Sequence, residues 1–163
     1  MHNPYSPTGQ SNPANAGNDY LRAKVMTATP EQLQLMMFDG AIRFAEQAKL
    51  AIDAGQFDRS HDRLSKSQAI VSELINGLKP DVLPEVTEKL MALYSFAYRR
   101  LIDANLNREV APIDEALRVL KYQRETWMLL MQQTAQAKQE AGETALPSPS
   151  EPAAKIERLS IAA

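Results

Sequence analysis

The chain has 163 residues, 18 Lys+Arg against 20 Asp+Glu, a net charge of −2, and no cysteine. That length is enough for one domain with a real core. Near neutrality removes the electrostatic footprint of a nucleic-acid binder, and the missing thiols exclude a disulfide scaffold, a thiolate metal site and a cysteine nucleophile.

The opening MHNPYSPTGQSNPANAGNDY lacks the basic start and apolar run of a secretion signal. Rich in Asn, Pro, Gly and Ser, residues 1–19 are expected to be a disordered arm, because they carry too little apolar surface to offset ordering. The next stretch, 20-YLRAKVM-26, brings Tyr20, Leu21, Val25 and Met26 just ahead of the first strong helix start. There Thr29 stands as N-cap, Pro30 as first helical residue and Gln32 three residues after the cap. This is a capping box with proline where its missing N–H costs nothing.

The first bundle helix should run from Pro30 to a stop at Gly55. Its apolar residues exceed one stripe. Leu33, Met36, Met37 and Phe44 are expected to fill the core, while Leu35, Phe38 and Ile42, with Ala45, make a second line by threes and fours. The second helix is expected after Asp58 as N-cap, ending at Asn76 with Gly77 as a left-handed stop. Leu64, Val71, Leu74, Ile75 and Leu78 are its apolar set. The third should run from Pro84 to about Asn105, with Leu90, Leu93, Tyr94, Ala97 and Leu101 inward and Met91, Tyr98 and Ile102 beside them. The fourth begins near Pro112 and passes Met131. Ile113, Leu117, Leu120, Trp127 and Met131 share its apolar line, so Trp127 should be largely buried. Residues 135–163, which include LPSPSEP, are expected to be a flexible tail.

Four such helices joined by short links imply an all-α fold, an antiparallel up-and-down four-helix bundle. Residues 20–134 would form that domain, with a cap at 20–28, a mobile N-terminal arm and a disordered C-terminal tail. No apolar run approaches the roughly 20 residues of a membrane span, so no membrane insertion is expected.

Catalytic and cofactor signals are sparse. Histidines occur only at His2 and His61, and 58-DRSH-61 is a single partial match to a bundle di-iron motif. Asp39 lies in the apolar first helix without a partner base nearby, which favours a structural ion pair or a cap-like hydrogen bond. No phosphate-binding or nucleophile-elbow motif occurs. An enzyme, a metal and a cofactor are therefore not expected. The second apolar lines on the first and third helices admit two readings. One is a wide core stripe; the other is a groove for a partner helix or an extended peptide, aided by the adaptable Met36 and Met37. A generic helical adaptor would have the second feature.

Several pieces occur in a telling order: Tyr20, Val25 and 27-TATP-30, then 33-LQLMMFDGAI-42, 66-KSQAIVSEL-74, 93-LYSFAYRRLIDAN-105 and 124-RETW-127. Over about Tyr20 to Met131 the chain resembles the flagellin export chaperones, the FliS family. The resemblance implies a cytoplasmic helical bundle that binds the disordered C-terminal region of flagellin, keeps it from polymerising early and escorts it to the flagellar type III export gate. It would place the client on Leu35, Phe38, Ile42, Met91, Tyr98 and Ile102. It would also make Tyr20, Leu21, Val25 and Met26 a lid over that surface when no client is bound.

Overall fold

A computed structural model describes residues 13–143; side chains are described from Gly17 to Ala141. Residues 1–12 of the expected arm and residues 144–163 of the expected tail lie outside the described residues. Five helices follow in order: α1 (Pro13–Thr27), α2 (Pro30–Asp53), α3 (Phe57–Asn76), α4 (Pro84–Asn107) and α5 (Ala111–Glu143). The helix α1 takes in residues 13–19, which composition had assigned to the arm, and α5 continues to Glu143, beyond the expected start of the tail at 135.

The helix boundaries follow local chemistry. Pro30 disfavours helical geometry at the residue before it, and Thr29 is extended at φ −69, ψ 161. The capping box is complete. Gln32 N–H donates to Thr29 Oγ1 at 3.3 Å, and Thr29 N–H donates to Gln32 Oε1 at 3.0 Å. At the far end, Gly55 adopts φ +68, Gln56 N–H donates to the Ala51 carbonyl and Gly55 N–H to that of Ile52. That is a Schellman closure, which needs a residue without a Cβ penalty.

Two expected signals differ. The N-cap of α3 is Gln56, without a side-chain cap bond, and Asp58 sits inside the first turn, where its charge faces the helix dipole. Gly77 is not left-handed, at φ −76; besides Gly55, a left-handed stop falls at Arg108, at φ 59, after α4. Its guanidinium lies 4.6 Å from the Phe57 ring centroid, a cation–π contact at that link.

Up to Leu129, α2 to α5 form the bundle. Ala41, Ala45 and Ala48 follow Phe38 at steps of three and four in α2. Ser60, Leu64, Ser67, Val71 and Leu74 do the same in α3, Tyr94, Ala97, Leu101 and Ala104 in α4, where Thr87 lies two turns earlier, and Ile113, Ala116, Leu120 and Gln123 in α5. This spacing of about 3.5 residues keeps each seam facing the others. Alanine and serine occupy many seam positions, so the backbones approach closely. Ser67 Oγ donates to the Ala41 carbonyl at 2.9 Å, and a Cβ on Gly40 would stand 3.1 Å from Ile70 Cδ1.

Neighbours are defined by cross-helix contacts. Ser67–Ala41 joins α2 to α3, and His61 Nδ1 lies 3.0 Å from Asn105 Oδ1 between α3 and α4. Arg100 donates to Glu115 from α4 to α5, and Lys49, Glu46 and Asp39 of α2 pair with Asp114, Lys121 and Arg124 of α5. Across α2–α5, rising numbers on α2 meet falling numbers on α5, so these two helices run antiparallel. Helices α2 and α4 stand diagonally, and their Phe38 and Tyr94 rings meet edge to face at 6.1 Å across the core. Residues 130–143 are the last part of α5, where Thr134 Oγ1 bonds back to the Leu130 carbonyl. No helix among the described residues is long and apolar enough to cross a membrane.

Candidate binding surface

The two lines on α2 exchange roles relative to expectation. Phe38 is 1% exposed and Ile42 8%, both inside the core cluster, with Leu35 half-buried beside them. The cause is the position of α5. The α2 residues that ion-pair with α5 lie on the same side as Leu35 and Ile42, so α5 covers that line. Leu33, Met36 and Phe44, expected in the core, are half-buried at the α2–α3 edge, and Met37 packs against the core from the same side.

On α4 the second line behaves differently. Met91 is 40% exposed, and Tyr98 and Ile102 are half-buried. The His61–Asn105 contact puts α3 on this side, where Ile75 also packs half-buried. Because α2 and α4 are diagonal, the α2 and α4 lines do not join into one groove. Leu93, expected inward, is exposed with Phe96 on the opposite edge of α4. Phe96, Arg99, Arg100, Ile102 and Asp103 line a depression of about 320 Å³ on the outer side of the helix. Phe96 had no signal in the sequence beyond its place one turn after Leu93.

The bundle thus carries separate apolar strips: Leu33, Met36 and Ile70 at α2–α3, Met91, Tyr98, Ile102 and Ile75 at α3–α4, and Leu93 and Phe96 on the far edge of α4. Scattered exposed apolar residues are ordinary, but strips of this kind mark contact surfaces.

The segment ahead of the bundle is helical. Tyr20 is 71% and Met26 79% exposed, with Leu21 and Val25 exposed to a lesser extent. The last turn of α1, through Lys24, Thr27 and Ala28, shares a cavity of about 360 Å³ with Gln32, Leu35, Met36 and Asp39 of α2.

Polar groups at the site have structural partners. Asp39 pairs with Arg124, as its place in an apolar helix suggested. Trp127 is half-buried rather than largely buried; it packs on the core, and its Nε1–H donates to the Glu31 carbonyl at 2.9 Å. Burial pushes the Tyr94 hydroxyl up to about 12. The hydrogen bond to Asp114 holds Lys49 above its usual range, and the bond to Lys66 holds Asp62 below its own. His61 is exposed, and among the described residues no group of three His, Cys, Asp or Glu is placed to hold a metal ion.

A model of the family described as "Flagellar protein FliS" matches residues 13–134. The flagellar secretion chaperone FliS of Bacillus subtilis (strain 168) is 31% identical over 113 residues, 69% of this chain and 84% of that protein. Its counterpart from Salmonella typhimurium is 33% identical over 108 residues, 66% of this chain and 80% of that protein. A crystal structure of a flagellar chaperone from bacteria has the same fold, with a TM-score of 0.61 at 20% identity, covering 75% of this chain and 99% of that one.

Proposed function

Since the chain belongs to the FliS family of flagellar proteins, a family of chaperones and not of enzymes, we propose that it binds the C-terminal region of flagellin in the cytoplasm. It keeps that region from polymerising early and delivers it to the flagellar type III export gate. The observation that supports this reading is the partly open apolar strip of exposed Met91 and half-buried Tyr98 and Ile102 beside a packed core. Strips on different edges suit a long disordered segment that visits them in turn. Burying a handful of such side chains, at about 1.5–3 kcal/mol each, offsets the cost of ordering the segment.

The helix α1 serves in this reading as the lid. Tyr20, Leu21, Val25 and Met26 stand exposed on α1 in the structure and, in this reading, fold onto client strips when no client is bound and yield them on binding. Every 1.4 kcal/mol of lid docking then weakens apparent client affinity about tenfold. The test is a titration of the full chain with a flagellin C-terminal segment, read by calorimetry. Saturable one-to-one binding is expected, tightened by deletion of residues 1–26. No binding overturns the client assignment; weaker binding after the deletion makes α1 part of the site and removes the lid.

A further inference from the structure

Phe44, at the α2–α3 edge, is ringed by cations. The Arg43 guanidinium lies 5.1 Å from the ring centroid, that of Arg63 5.8 Å and the Lys66 ammonium 5.9 Å. A ring face attracts cations without neutralising them. One carboxylate is close by: Asp62 accepts from Lys66 at 2.9 Å and stands 3.6 Å from Arg63 Nε. The acids of α2 one turn either side of Arg43, Asp39 and Glu46, are engaged with Arg124 and Lys121 of α5. Arg43 makes no ion pair among the described residues. Arg63 Nε is buried and has no hydrogen-bond partner, since 3.6 Å to Asp62 is too long. Three cations thus share one carboxylate at this rim, and its positive charge is under-compensated.

The neighbourhood adds shape to that charge. From the rim toward the start of α2 run the Gly40–Ile70 contact and then half-buried Met36 and Leu33. A ligand suited to this edge is apolar along its length and anionic at its end. We propose that the Arg43–Arg63 rim over Phe44 receives the terminal α-carboxylate of the bound client. The inference rests on the client reading above. A C-terminal segment carries that carboxylate whatever its side chains, and arginine forks match carboxylate geometry. The contact would fix where the client begins on the chaperone without demanding a particular client sequence.

The test compares two peptides of a flagellin C-terminal segment, one with a free terminal acid and one amidated, titrated at low salt against the full chain. Amidation should weaken binding to the wild type about tenfold, the size of one lost charge-assisted contact. In the double variant Arg43→Gln, Arg63→Gln, with helix content checked by circular dichroism, the two peptides should bind alike, both near the weaker value. Equal affinity of the two peptides for the wild type overturns the proposal and leaves the client reading standing. A double variant that weakens both peptides by the same factor also overturns it, because the arginines then meet a side-chain acid or support the fold. Failure of both peptides to bind the wild type overturns the client reading, and this proposal with it.

Discussion

The α2–α5 and α3–α4 seams of one bundle are closed by different means. Across α2–α5 run Lys49–Asp114 at 2.7 Å, Lys121–Glu46 at 2.6 Å, the Arg124–Asp39 pair and the Trp127–Glu31 hydrogen bond. The apolar line beneath them, Phe38 and Ile42, is buried. Across α3–α4 the polar contact is His61 with Asn105, and the apolar line beside it, Met91, Tyr98 and Ile102, stays partly open. Exposed ion pairs contribute little each, so the charged seam owes its closure to the core beneath and uses charge to fix its register. A seam without that polar cover leaves its apolar edge available to a partner. One line is closed into the fold and the other stays partly open at the surface.

The largest expected effect comes from the closed seam. Phe38→Ala should cost about 3–5 kcal/mol in urea-induced unfolding, because a fully buried ring leaves a cavity against Tyr94. A loss below about 1 kcal/mol, with client binding abolished, would return Phe38 to the binding surface. Its ring partner gives a pH test. Burial raises the folded-state pKa of Tyr94 from the usual phenol value of about 10 to about 12. Stability from keeping Tyr94 neutral is thus complete below pH 10 and is lost as pH rises through about 12. The full loss, reached only above that pH, is about 3 kcal/mol by the usual conversion of pKa difference to free energy. Tyr94→Phe should flatten this part of the alkaline unfolding curve, and an unchanged slope would contradict the assignment.

At the open seam the effect should fall on binding. Met91→Glu ought to change unfolding free energy by no more than about 0.5 kcal/mol, as surface substitutions usually do. In the same variant client affinity should drop at least about tenfold, since a charge then faces the apolar chain. Unaltered affinity would take this strip out of the client site. Smaller still is Trp127→Phe, which keeps most of the packing and removes the bond to the Glu31 carbonyl, at about 0.5–1 kcal/mol. Smallest of all is Lys121→Ala, below about 0.5 kcal/mol and shrinking with salt. A double-mutant cycle with Glu46→Ala well above 1 kcal/mol would mean that charge, and not the core, holds the closed seam.

Much of this protein was legible in its residues because the signals are local. The Thr29–Pro30–Gln32 box, the Gly55 stop and the proline start of α4 each act through neighbouring backbone, and the structure has each in place. Steps of three and four named Leu64, Val71, Leu74, Tyr94, Leu101 and Leu120 as inward, and all are buried. The family motifs were readable for the same reason, being short runs in fixed order. The sidedness of α2 could not be read this way. Leu35–Phe38–Ile42 and Leu33–Met37–Phe44 are both valid helical lines, about 150° apart, one on each side of the alanine seam. Which one is covered depends on where α5 lies, and that is set by contacts as distant as Trp127 with Glu31. The Ala and Ser seam, whose small side chains carry no strong hydropathic signal, was hidden for a related reason, since its value lies in how closely another helix can approach. The capping pattern and the helical period determined four helices and their antiparallel order. Only tertiary packing decided which apolar line became core and which stayed at the surface, because burial is a property of the neighbour and not of the residue.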